Sequence, residues 1–248
     1  MKTPTYIAIS KQTGMMREMD SIANNLANVS TTGFRSKHKL FQEYLEKTGK
    51  LGPQDRISFV QDVGDYRNNK FGKLQTTNRG FDLAIQGEGY FVLGSPSSNF
   101  YTRNGAFALD DKNQLVTSEG FPVLQEGDVP VVVPANSSIS IGLDGSITAT
   151  EIGSGNATST TIGRLKLVKF DDDQALRDAG AAEYTTDQEP KPANGIIRQG
   201  MLESSNVEPI TEITHMITVQ RSYEMSSSLV KSEDSRERAM LEKLLKSV

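Results

Sequence analysis

The chain has 248 residues and carries 27 basic against 31 acidic side chains, a net charge of −4. That balance excludes loose electrostatic binding to nucleic acid or to anionic membrane, and the absence of cysteine excludes disulfide frameworks, Cys-based metal sites and thiol catalysis. Hydrophobic residues make up 36%, a low share for a chain that buries everything in one core, while 21 glycines favour many turns and short strands.

At the start, Thr3 suits a helix cap and Pro4 a first helical position. Met15, Met19, Ile22, Leu26 and Val29 then follow at spacings of four and three, the pattern of a coiled-coil seam. This predicts a helix from Pro4 to about Ala27, ended by Ser30-Thr31-Thr32-Gly33. Met1 to Ser10 lacks the apolar run of roughly 7–15 residues that a secretory signal needs, so no cleaved signal peptide is expected. No stretch has the length and apolarity of a membrane span. Residues 37–71 read as a connector of mixed character, with Leu40, Phe41, Tyr44 and Leu45 prolonging a helix by a turn or two.

Residues 72–203 read as β-rich. Strand-like runs are Ala84-Ile85, Tyr90 to Leu93, Gln114 to Thr117, Pro130 to Pro134, Ser138 to Ile141 and Arg164 to Phe170. Turn signals separate them at Asn104-Gly105, Glu126-Gly127-Asp128 and Asp144-Gly145. The small, polar stretch Gly153 to Thr161 reads as an exposed loop. After Pro209 neither glycine nor proline occurs as far as Val248, so nothing interrupts a helix. Met216, Val219, Tyr223, Ser226, Val230, Glu233, Glu237, Met240 and Leu244 step by three and four, an imperfect seam. The pairs Asp234–Arg238 and Glu242–Lys246 add modest helix support. The expected fold is α+β: long N- and C-terminal helices forming a coiled-coil-like domain, with a central irregular antiparallel β domain. Its expected parts are 1–36, a connector at 37–71, a β-rich part at 72–203 and a helical end at 204–248.

Residue constellations for catalysis are poor. Gly87-Glu88-Gly89 precedes a strand pattern, whereas a dinucleotide fingerprint needs a helix after its glycines. Asp110-Asp111 and Asp171-Asp172-Asp173 are candidate ligands for a hard cation, but both fall beside expected turns, where solvated acidic residues are common. His38 and His215 are far apart and lack a nearby acidic cluster, so no metal and no cofactor are expected. A hydrolase built on Asp82 or Glu88 needs a second carboxylate, and no convincing partner is present. A glycan-binding β module that uses its helices only to dimerise is a further alternative.

Three stretches in order along the chain carry a resemblance. Ala23-Asn24-Asn25-Leu26-Ala27-Asn28-Val29-Ser30-Thr31-Thr32-Gly33-Phe34-Arg35 resembles the signature of bacterial flagellar rod and hook proteins. Gly72 to Thr77 and Phe81 to Phe91, followed by Tyr101-Thr102-Arg103-Asn104-Gly105-Ala106-Phe107, look like the entry to that family's β domain. Ser204-Ser205-Asn206-Val207-Glu208-Pro209, continuing to Gln220 to Glu224, is similar to its C-terminal segment. Phe59 to Tyr66 and Gly163 to Phe170 look most like the proximal-rod branch, with the distal rod as the alternative.

The resemblance implies a structural subunit with no enzymatic activity and no small-molecule substrate, placed in the basal body within the periplasmic space. It implies export through the flagellar type III apparatus without signal cleavage, and partners that are other rod subunits and further copies of the chain. In that family the paired terminal helices form an inner tube and the β domain an outer layer. The expected assembly residues are Met15, Met19, Ile22 and Leu26 against Ile213, Met216, Val219, Gln220, Tyr223, Val230 and Leu244. Asn24, Asn25 and Asn28 are expected to fix register across the seam, Asn28 being equally readable as a simple helix end.

Overall fold

A computed structural model describes residues 3–47, 56–95, 98–151 and 159–246. Its elements correct the expected fold class. Among the described residues there are nineteen strands and two α-helices, a shorter α1 (Thr3–Ala27) and a longer α2 (Pro209–Lys246), so the chain is mostly β. No coiled-coil domain forms. Only Glu212 and Val219 are buried among the described side chains of α2, too few for a continuous seam.

Within the expected connector the described residues form two paired strands rather than the turn or two of added helix. Strand β1 (Lys37–Lys47) pairs antiparallel with β2 (Arg56–Arg67), Lys37 opposite Arg67 and Lys47 opposite Arg56. Leu40 and Phe41 therefore lie on a strand, and a bulge between them adjusts the register. A ladder of this length satisfies the main chain through a partner some twenty residues away, which local helix propensity cannot match.

The chain divides into two compact units. One comprises Met1–Ala27, Ser36–Asn68 and Glu208–Val248, that is, both helices and the hairpin. Within it α1 packs against α2 and against both hairpin strands. Among the described side chains of α1, Ile22, 2% exposed, is the buried apolar one.

The other unit comprises Asn28–Arg35 and Asn69–Val207. Its central sheet runs in the order 177–180, 183–185, β6 (Phe100–Thr102), β5 (Tyr90–Leu93), 167–169, 191–192, with every ladder antiparallel. All four residues of β5 are buried, because its alternating side chains enter two different cores. Phe91 and Leu93 join Leu83, Phe107, Leu115, Ile147 and Ile197 on one side. Tyr90 and Val92 join Tyr101, Val168, Phe170 and Tyr184 on the other. The run Arg164 to Phe170 is not one strand. Ser159–Arg164 belongs to a three-stranded sheet and Leu167–Lys169 to the central one, since Leu165 enters the first core and Val168 the second. Two short ladders close the unit: β3 (Leu74–Thr76) with Met201–Glu203, and β4 (Leu83–Gln86) with Ile196–Gln199.

One buried carboxyl makes this unit sensitive to pH. Glu183 is 4% exposed, and burial, reinforced by repulsion from Glu119, pushes it up to about 7, although a bond from Thr117 works in the opposite sense. Because the folded state holds this proton more tightly than the unfolded one, stability from this group is full below its ordinary value of 4.5 and is lost as pH rises to about 7. The loss is on the order of 2–3 kcal/mol. Denaturant melts of Glu183→Gln at pH 5 and pH 8 should show a smaller pH difference than the parent, with the substituted chain the more stable at pH 8.

Candidate functional site

The most unusual chemistry in the chain is a cluster of three buried charges in the β unit. Gly33, at φ +70, turns the chain just ahead of Arg35, and its N–H donates to the Glu203 carbonyl at 2.8 Å. A Cβ at Gly33 would lie 2.5 Å from the Arg103 carbonyl carbon, so only glycine allows this approach. Arg35 then sits 3% exposed, Arg103 2% and Glu203 2%. Arg35 Nη2 lies 3.2 Å from Glu203 Oε1, and Arg103 Nε lies 2.7 Å from Oε2, so one carboxylate bridges two guanidinium groups. The Gly72 N–H adds a third bond to Oε1 at 3.0 Å.

Main-chain carbonyls take most of the remaining donors. Arg103 reaches Gly89 at 2.6 Å, Ile85 at 2.9 Å and Gly87 at 3.0 Å. The glycines of Gly87-Glu88-Gly89, which carry positive φ, thus present carbonyls to an arginine. Arg35 Nη1 donates to the carbonyls of Asn69 and Lys70. The Phe71 ring lies 5.1 Å from one guanidinium and 5.0 Å from the other, a shared cation–π surface. With two cations for one anion, burial and then Arg103 pull Arg35 below its ordinary value, and Glu203 opposes that pull.

The expected assembly residues all fall in the helical unit except Asn28. Ile22, Asn25 and Val219 are buried; Met15, Met19, Leu26, Met216, Tyr223 and Val230 are half-buried; Asn24, Ile213 and Gln220 are exposed. The Leu244 side chain lies outside the described residues. Asn25 binds chiefly to the hairpin, its Oδ1 accepting from Lys37 N–H at 2.9 Å and its Nδ2 donating to Lys37 C=O at 2.8 Å. Its Nδ2 also comes within 3.5 Å of Glu212 Oε1 on α2. Ser21 Oγ donates to the same Lys37 carbonyl at 2.9 Å. Asn28 sits in the turn after α1, accepting from Thr31 Oγ1 at 3.1 Å. His215 pairs with Glu18 at 3.0 Å between the helices.

Other candidates serve local structure. Asp110 Oδ1 accepts from Lys112 and Gln114 N–H groups, and Asp172 Oδ1 caps a short 3-10 turn at Gln174. Among the described residues, no three metal-ligating side chains gather, and no helix is long and apolar enough to cross a membrane. The sequence reading missed the three-charge cluster altogether. Its members stand 68 and 100 residues apart, beyond any local period; the usable signal was a cationic residue beside tight glycine turns in each of two quoted motifs.

The chain thus holds a helical unit built from its two ends and a β unit pinned internally by charges from distant segments. Comparison with known proteins places it. Residues 8–35 match the family described as Flagella basal body rod protein, residues 84–149 the Flagellar hook protein FlgE/F/G D1 domain, and residues 198–243 the Flagellar basal body rod FlgEFG protein C-terminal segment. Flagellar basal-body rod protein FlgF of Caulobacter vibrioides is 34% identical, with 98% of each chain covered. That of Mesorhizobium japonicum is 32% identical with 95% of each covered, and FlgG of Buchnera aphidicola is 33% identical over 91% of this chain and 92% of its own. The chain belongs to the flagellar basal-body rod protein family and is a structural subunit of that rod. Each matched segment contributes one member of the buried cluster: Arg35, Arg103 and Glu203.

Removing one partner from a buried ion cluster leaves charge uncompensated. Glu203→Gln should lower the unfolding free energy by about 3–5 kcal/mol, read by denaturant melts, and Arg103→Lys should recover little because lysine cannot reach three carbonyls and a carboxylate in one plane.

Proposed function

We propose that the chain is a proximal-rod subunit, a non-enzymatic segment of the shaft that carries motor torque through the periplasm. The observation that carries this reading is the alignment of two relatives named FlgF over 95–98% of the chain. The FlgG relative, 33% identical over 91%, supports a distal-rod position as the second reading. Restoration of swimming in a strain lacking the proximal subunit, but not in one lacking the distal subunit, separates the two.

Residues 1–36 and 204–248 supply the contacts of the inner tube, and 72–203 the outer part of the subunit. Met15, Met19, Asn24, Leu26 and Asn28, with Ile213, Met216, Gln220, Tyr223, Val230 and Leu244, form the surfaces on which copies and other rod subunits assemble, and the buried Ile22, Asn25 and Val219 hold those surfaces in shape. The polar, largely exposed α2 supports this, since such a helix buries little within its own chain. A heterologous contact repeated by a screw operation turns many weak interfaces into a stiff cylinder. Export through the type III apparatus as an unfolded chain would delay ordering of the helices until assembly.

Ile22→Asp places a carboxylate in a fully buried apolar position of α1. It should abolish swimming and rod incorporation while thermal unfolding of the β unit in the full chain is unchanged. Normal motility would remove the helical unit from the assembly surface.

A further inference from the structure

The buried charge cluster lies against a cavity of about 500 Å³, a volume in the range of small-molecule sites. Every residue that lines it belongs to the β unit. Arg35 and Arg103 form part of the wall, with the rings of Phe71 and Tyr90 beside them. Phe71 is 54% exposed although it stands against both cations, so part of this aromatic surface is open to solvent.

Two polar atoms of the lining residues lack partners. Arg35 engages Nη1 with the carbonyls of Asn69 and Lys70 and Nη2 with Glu203, while its Nε is buried with no hydrogen-bond partner among the described residues. Asn69, which that bond holds alongside Arg35, has a buried Oδ1 in the same condition. Buried polar groups left unpaired are costly and rare in native proteins. Here a cationic donor and a neutral acceptor stand together on one cavity.

The rest of the wall is acidic. Lys191 engages Asp171 at 2.6 Å, and Lys169 lies 3.6 Å from Glu88. Asp172 forms no ion pair among the described residues, and its Oδ1 accepts the Gln174 N–H at 2.9 Å. Burial, and then the nearby Asp173, push Tyr90 well above its ordinary value, so its hydroxyl stays a neutral donor. The cavity thus combines two guanidinium groups that share one carboxylate with an acidic wall. A plain oxyanion would leave Asn69 and Asp172 unanswered, and a plain cation would leave Arg35 so.

We propose that this cavity binds an α-amino acid group, its carboxylate received by Arg35 and its ammonium by Asn69 Oδ1 and Asp172. The exposed face of Phe71 covers the apolar part of the ligand, which is bound and not transformed. The inference goes beyond the rod-subunit reading and applies to either rod position. Two sources share the chemistry: a free amino acid, and the diamino acid of a cell-wall peptide, which carries the same group at its side-chain end.

Isothermal titration of the full chain separates these cases. Alanine should bind saturably, whereas N-acetylalanine, which lacks the ammonium, and alaninamide, which lacks the carboxylate, should bind about tenfold more weakly or worse. Asn69→Leu and Asp172→Asn should each weaken alanine several-fold without lowering stability in denaturant melts. Equal affinity for alanine and meso-diaminopimelate identifies the free amino acid as the ligand. Tighter binding of meso-diaminopimelate, and of a soluble cell-wall tripeptide ending in it, identifies the wall peptide. The site is overturned by acetate or N-acetylalanine binding as tightly as alanine, by unchanged affinity in both variants, or by no saturable binding of any of these compounds.

Discussion

The β unit depends on a single buried carboxylate held between two arginines. Isolated, any of these ions would be costly to bury, since desolvation of an ion in a protein interior amounts to several kcal/mol. The cost is offset because Glu203 meets two guanidinium groups and an amide N–H, while five main-chain carbonyls receive most of the donors left over. Those carbonyls belong to residues 69–70 and 85–89, so with Arg35, Arg103 and Glu203 the cluster ties together five chain segments that no hydrophobic cluster would specify so narrowly. An apolar contact tolerates sliding by an ångström; a bridging carboxylate with fixed partners does not.

How much of this was legible in the sequence differs from element to element. The strand at Tyr90 to Leu93 was readable because four apolar residues follow two glycines, although its burial on both faces was not. The helical period at both ends was readable too. What misled was the inference from period to partner. A spacing of three and four says that one face of a helix is covered, without saying by what, and much of the cover of α1 is a β-hairpin. That hairpin lacks clean alternation in Lys37 to Lys47, and its ladder depends on residues 56–67, so a local window reads it as connector or helix. Arg164 to Phe170 failed for a related reason, since neighbouring residues of one apolar run serve different cores.

Asn25 shows how a polar residue in an apolar stripe can serve two partners. Its polarity there suggests a register device between helices, and its Nδ2 does come within 3.5 Å of Glu212 on α2. The carboxamide also offers one donor and one acceptor to the main chain of Lys37, imitating the pairing of a strand and fixing where β1 leaves the helix.

The distance along the chain between Arg35 and Glu203 has a consequence for a polypeptide delivered amino end first. The β unit includes residues 28–35 yet cannot neutralise its second arginine until residue 203 has emerged. Until then Arg35 and Arg103 repel each other, and closing around them is unfavourable. Ordering of this unit is thereby coupled to near-complete delivery of the chain. A product ended before residue 203 carries two like charges and no bridge between them.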